Sequence, residues 1–197
     1  MKLVFATNNR HKLHEIKQLI GSSIQLLSLA DIDCNDDIPE NQETIEGNAS
    51  EKAFYIWNKY QINCFADDTG LEIEALNGEP GVYSARYAGE EKSPEKNIEL
   101  VLQKLTKINN RKARFKTIIS LVINGEEVQF EGIVDGKILE EKHGQSGFGY
   151  DPIFQSDESS FSFAEMPLAE KNKISHRGRA TQKLVDYLNQ LIQNEQL

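Results

Sequence analysis

The dipeptide Asn124-Gly125 lies between two apolar runs, Phe115 to Ile123 and Val128 to Val134. Asn-Gly is favoured in two-residue type I′ turns, where both central residues need positive φ, so this stretch reads as a β-hairpin. An antiparallel pair in mid-chain excludes a sheet made only of repeated parallel βαβ units. The chain nevertheless opens in that style. Lys2 to Ala6 is a short apolar run, Thr7-Asn8-Asn9 is polar, and Leu13, Ile16 and Ile20 then recur at helical spacing until Gly21. Ile24 to Leu29 reads as the next strand.

From Asp31 to Glu51 there are eight acids and no Lys or Arg, which reads as a loop entering a helix. Thr44 is a candidate N-cap, and Ile45, Ala49, Ala53, Ile56 and Tyr60 form one helical stripe behind it. Glu46, Asn48 and Lys52 are expected on the solvent side. Ile62 to Ala66 is an apolar strand closing on Asp67-Asp68-Thr69-Gly70, after which Leu71, Ile73 and Ala75 alternate with Glu72 and Glu74 at the strand period of two. Gly78 to Gly81 is a turn, and Ser93-Pro94 opens a helix carrying Ile98, Val101, Leu102 and Leu105. A glycine-rich loop spans Gly144 to Asp151, and the last helix should begin near Arg177 to Ala180 and bury Leu184, Leu188 and Leu191. This order predicts a single α/β domain over residues 1–197, an elongated mixed β-sheet flanked by helices, with two lobes and a cleft between them.

Lys and Arg total 22 against 31 Asp and Glu, a net charge of −9, which argues against nucleic acid or an anionic membrane as partner. The two cysteines, Cys34 and Cys64, form neither a disulfide framework nor a Cys-based zinc site, so a reducing, cytoplasmic setting is expected. The apolar start is shorter than a secretory signal core, and no stretch reaches membrane-spanning length.

Five segments carry candidate chemistry. Thr7-Asn8-Asn9-Arg10-His11-Lys12 sits where a strand feeds a helix, a place whose free N–H groups and dipole attract phosphate, although an ordinary capped turn uses the same residues. Asp67 and Asp68 end a strand, where alternation points them to opposite sides and leaves one carboxylate for a site. Such an oxygen ligand suits Mg²⁺, and the acidic run with Asp36, Asp37, Glu40 and Glu43 could add a second, a solvated loop being the alternative. In Gly147-Phe148-Gly149-Tyr150-Asp151 the glycines let a flat ligand approach while an aromatic stacks on it, or the aromatic simply tucks into the core. Finally, four of the 22 basic residues fall between Lys171 and Arg179, around His176, which implies a local anion. No Walker-type or Gly-x-Gly-x-x-Gly loop is present.

In order and wording these segments resemble the Ham1-like nucleoside triphosphate pyrophosphatases. The resemblance rests on Ala6-Thr7-Asn8-Asn9-x-x-Lys12, Phe65 to Leu71, Gly81 to Gly89, Gly147 to Phe154 and Glu170 to Gly178, and it covers Lys2 to about Leu191. It implies a homodimer that uses Mg²⁺ to hydrolyse ITP, dITP or XTP to monophosphate and pyrophosphate. It further implies that Thr7 to Lys12 hold the triphosphate, that Asp68 accepts a proton, and that Asp68 and Glu40 hold the metal. Thr69, Phe148, Gly149, Tyr150, Asp151 and Lys171 would contact the nucleotide, and His176 with Arg177 would read the base. Thr69 stands where the family more often has Ser, Ser146 where glycine is usual, and the acidic loop is short. Two alternatives remain open: a Maf-like pyrophosphatase of pyrimidine or modified nucleotides, disfavoured by His176-Arg177, and a noncatalytic nucleotide sensor, disfavoured by Asp68 beside a phosphate loop.

Overall fold

Leu3, Val4 and Phe5 of the first strand, β1 (Lys2–Phe5), have no solvent exposure at all, as expected of a strand covered on both faces. The computed structural model describes residues 1–195. In it β1 lies between β2 (Gln25–Leu27) and β3 (Cys64–Ile73), parallel to both, with Lys2 opposite Gln25 and Phe5 opposite Phe65. The short β4 (Pro80–Gly81) runs antiparallel to the far end of β3. The hairpin strands β5 (Lys112–Ile123) and β6 (Glu126–Ile138) meet at Asn124 and Gly125, whose φ angles of 51° and 86° are both positive. β7 (Phe154–Ser156) pairs antiparallel with β6. The sheet order is β2-β1-β3-β5-β6-β7, with β4 on β3, so the expected mixed α/β fold is the one observed.

Two compact units divide the chain. The first comprises Met1–Asp68, Thr117–Gly132 and the C-terminal part from Arg177; the second comprises Thr69–Lys116 and Ile133–His176. Strand alternation gives the first unit two apolar layers. Leu3, Phe5, Phe65, Ile119 and Leu121 pack with Leu184 and Leu188, and the Phe5 and Phe65 rings stack 4.5 Å apart. The residues between them, Val4, Ala6, Cys64, Ala66 and Val122, pack with Ala53 and Ile56. Each large side chain so buried contributes roughly 1.5–3 kcal/mol. The second unit has its own core around Leu71, Ile98, Val101, Phe115, Phe154 and Phe163.

Five helices complete the described fold. α1 (Arg10–Lys17) is capped by Asn9, whose side chain accepts from the His11 and Lys12 N–H groups. α2 (Ile45–Tyr60) starts, as the sequence predicts, at Thr44, whose hydroxyl accepts from Gly47 N at 3.0 Å. α3 (Pro94–Lys104) is capped by Ser93. α4 (Leu168–Ile174) and α5 (His176–Glu195) lie end to end in sequence, separated by Ser175. Among the described residues no helix is long and apolar enough to cross a membrane.

Four local expectations need correction. Asp67 to Gly70 is not a strand end but the middle of the ten-residue β3, and Ala75 falls in a 3-10 turn beyond it. α1 stops at Lys17, where the Gln18 N–H turns back to the Glu15 and Ile16 carbonyls, although the Ile20 N–H still donates to the Ile16 carbonyl at 3.1 Å and Ile20 is buried with Ile16. α4 is a helix the basic segment did not reveal, since its seven residues are too few for a periodic stripe. Asn48 and Lys52 are buried rather than solvated, at 1% and 5% exposure.

Candidate active site

The site begins with the alternation of β3. Phe65 and Asp67 face one way, Ala66 and Asp68 the other, and the two carboxylates meet different helices.

On the Asp67 side, α1 and α5 supply the partners. Lys12 Nζ donates to Asp67 Oδ1 at 2.9 Å, and Arg177 Nε donates to Oδ2 at 3.1 Å. Arg177 Nη1 reaches Glu15 Oε2 at 2.7 Å, and Glu15 lies one turn beyond Lys12 on α1. Asp67, Glu15 and Arg177 are all buried. Burial alone would push the Asp67 carboxyl up, but the adjacent Lys12 and Arg177 charges outweigh it and hold it well below the usual carboxylate range. For Lys12 burial wins, and its ammonium is held below the ordinary lysine value despite Asp67.

Asp68 is met by α2. Lys52 Nζ donates to Asp68 Oδ1 at 3.1 Å and to Glu40 Oε1 at 2.6 Å. Asn48, one turn before Lys52, donates to Asp68 Oδ2 at 3.5 Å, and its own Oδ1 is fixed by the Gln42 N–H at 2.9 Å. Burial pushes the Asp68 carboxyl above the ordinary aspartate value against the pull of Lys52 and Lys12, with Glu40 adding to the rise. A carboxylate of raised proton affinity is a stronger base. Lys52 stays charged, because Asp68 and Glu40 together outweigh its desolvation.

The phosphate-loop candidate lies in the same unit. Asn9 N donates to Thr7 Oγ1 at 3.1 Å, and Asn8 Nδ2 reaches the Asp36 carbonyl at 3.5 Å. Arg10 and His11 are exposed at the start of α1, and Lys12 points inward to Asp67. Thr7 to Lys12, Glu40, Asp68 and Arg177 therefore belong to the first unit.

Thr69, Phe148, Gly149, Tyr150, Asp151, Lys171 and His176 belong to the second. There Asp151 Oδ2 accepts from Phe148 N at 2.9 Å and from Lys171 Nζ at 2.6 Å, and the Lys171 ammonium lies 5.2 Å from the Phe148 ring centre. Gly147, at φ 75°, has no room for a side chain, since a Cβ would stand 2.1 Å from Asp151 Oδ2. The Tyr150 hydroxyl donates to the Ser84 carbonyl at 2.8 Å. His176 is buried with its ring stacked on Phe115, centres 4.5 Å apart. The neighbours His176 and Arg177, which the resemblance joins in one role, thus have separate surroundings: an aromatic stack for the first, two carboxylates for the second.

Asn48, Lys52 and Glu15 were not singled out from the sequence. The signal for the first two was the small Ala49 and Ala53 beside them. A helix face of alanines approaches its sheet closely, and the polar residues flanking it are drawn under cover.

A divalent cation suits one part of this arrangement. Among the described residues no group of three or more His, Cys, Asp or Glu is placed to hold a metal. Mg²⁺ needs only one or two carboxylates, with water and substrate phosphates completing its shell. Glu40 and Asp68 meet that requirement, and the Lys52 ammonium already marks the point on which their oxygens converge.

The model of the Ham1 family matches residues 3–187. A dITP/XTP pyrophosphatase of Christiangramia forsetii is 58% identical over 96% of this chain and 100% of its own length. A second, of Flavobacterium johnsoniae, is 55% identical over 95% of the chain and 98% of its own. The solved structure of the Staphylococcus aureus Ham1 protein superposes with a TM-score of 0.87 at 39% identity, covering 96% of this chain and 98% of that one.

Proposed function

The chain belongs to the Ham1 family and is accordingly a nucleoside triphosphate pyrophosphatase acting on noncanonical purine nucleotides, and we propose which of its residues carry the reaction. The overall reaction adds water across the bond between the α and β phosphates of ITP, dITP or XTP and leaves a monophosphate and pyrophosphate. Neither a Maf-like preference nor a noncatalytic role accords with relatives of this kind.

The observation that carries the assignment is the setting of Asp68. Its carboxylate is held by Lys52 and Asn48 on the side of β3 opposite Asp67, beside Glu40. Asp68 takes the proton of the attacking water while the water oxygen bonds to phosphorus and the bridging oxygen leaves with pyrophosphate. Thr7, Asn8, Asn9, Arg10, His11 and Lys12 hold the triphosphate, with the Lys12 ammonium and the first turn of α1 opposing its charge. Asp68 and Glu40 hold Mg²⁺, which when bound neutralises phosphate charge. Thr69, Gly149, Tyr150 and Asp151 contact the nucleotide. Phe148 offers a ring for stacking the base, and Lys171, fixed by Asp151, places a cation over that ring. His176 donates to the 6-oxo group that hypoxanthine and xanthine carry and adenine lacks. Arg177 gives its Nε hydrogen and one of its two Nη1 hydrogens to Asp67 and Glu15, and it reads the base together with His176. The same proposal covers one domain over 1–197, a homodimer, and a reducing cytoplasmic setting, the last supported by two free thiols.

ITP incubated with the enzyme and Mg²⁺ should yield inosine monophosphate and pyrophosphate on ion-exchange chromatography, and EDTA should stop the reaction. ATP and dTTP run alongside should be poor substrates. Accumulation of inosine diphosphate would show that a different phosphoanhydride bond breaks and would remove Asp68 from the role given to it.

A further inference from the structure

Lys52 has no part in the roles above except to hold Asp68, yet it joins both metal-site acids. Its Nζ stands 2.6 Å from Glu40 Oε1 and 3.1 Å from Asp68 Oδ1, and the side chain is only 6% exposed. Two carboxylates turned toward a common point repel one another, and the repulsion grows where water is excluded. The ammonium between them removes that repulsion. A divalent cation on the same two acids would meet a like charge at close range, so ammonium and cation cannot both sit in the gap at low cost.

We propose that Lys52 is a positioning residue that keeps the place of the divalent cation. It holds Glu40 and Asp68 converged while no cation is present, and it withdraws from the gap when one binds. This rests on the reading that Glu40 and Asp68 are the metal-site acids.

Three features suit the residue to this task. Lysine carries a compact charge on a flexible stem and can be re-aimed without moving its helix, whereas the planar arginine fork is tied to its partners' geometry. The helix itself is fixed, because α2 is capped at Thr44 and packs through the fully buried Ala49 and Ala53. Asn48 keeps its own hold on Asp68 Oδ2, so the carboxylate does not lose its aim when Lys52 leaves Oδ1. Every cation bound then displaces an ion pair, which holds cation affinity down in the absence of nucleotide. A triphosphate gives the released ammonium a new anion, so nucleotide and cation strengthen each other's binding reciprocally.

The test uses Mn²⁺ as the probe, titrated into nucleotide-free protein and followed by the electron paramagnetic resonance signal of the free ion. Lys52→Met should bind Mn²⁺ at least about tenfold more tightly than wild type, within the usual range of coupling between sites. Lys52→Arg, which retains the charge, should bind no more tightly than wild type. A purely structural lysine would give the opposite result, since its removal would loosen the site. Wild-type or weaker affinity in Lys52→Met overturns the proposal. Should Lys52→Met melt too readily for titration, Mn²⁺ is expected to raise its melting temperature by more than it raises that of wild type, and an equal or smaller rise counts against the proposal in the same way. Glu40→Gln in both backgrounds separates the two levels. If it leaves Mn²⁺ binding unchanged, the metal reading falls and the placeholder with it; if it abolishes binding while Lys52→Met fails to tighten it, the placeholder alone falls.

Discussion

Asp68→Asn should lower the turnover of ITP by at least about a hundredfold, the scale on which a positioned general base contributes. The substitution preserves shape and leaves an amide that accepts from Lys52 on one atom, so far-ultraviolet circular dichroism and the melting temperature should change little. Asp67→Asn should cost less turnover, because its carboxylate faces α1 and α5 rather than Glu40 and Lys52. The decisive comparison is kcat in the two variants, measured on protein shown to be folded. Equal losses would mean that strand alternation does not separate a chemical acid from a structural one here, and the base would have to be sought elsewhere.

Arg177→Ala should destabilise the protein by about 3–5 kcal/mol, the usual result of removing one partner from a buried ion pair. Asp67 and Glu15 would be left charged under cover, with the Lys12 ammonium still on Asp67. For a chain of this size that loss corresponds to a fall in melting temperature of roughly 6–20 °C. Arg177→Lys should recover only part of it, since one ammonium cannot reproduce a fork reaching two carboxylates. A melting temperature unchanged in Arg177→Ala would show that the network carries no net stability. Activity at low temperature supplies the second readout: if Arg177 acts through Asp67 and its neighbours, ITP and ATP hydrolysis fall together, whereas collapse of the ITP-to-ATP ratio alone would put its donors on the base. The same network has a pH signature. Asp67 has a depressed folded-state value, so its stabilisation is fully present above the unfolded carboxyl value near ~4 and fades as the pH falls below that point.

How far these features can be read from sequence depends on how local their causes are. The hairpin at Asn124-Gly125 and the caps at Thr44 and Ser93 follow from the conformations of a few adjacent residues, and they stand where the sequence puts them. The continuity of β3 through Asp67-Asp68-Thr69-Gly70 does not, because Asp and Gly disfavour strands and are held there by partners on three helices. The Glu15 to Arg177 pair links residues 162 positions apart, a distance no motif spans. Lys52 and Asn48 were misplaced for a different reason: an apolar stripe tells which face of a helix is covered, not how closely the covering approaches. The opposed directions of Asp67 and Asp68 were legible, since strand geometry alone requires them.

Those opposed directions give two identical neighbouring residues different fates in a living cell. A variant at 67 is first a problem of quantity, because a chain that opens more often is cleared by proteases, and lower growth temperature or raised expression can restore its output. A variant at 68 is a problem of quality. On the assignment proposed above it persists at full abundance, still holding nucleotide that it turns over at least about a hundredfold more slowly, and additional protein does not replace the missing proton acceptor.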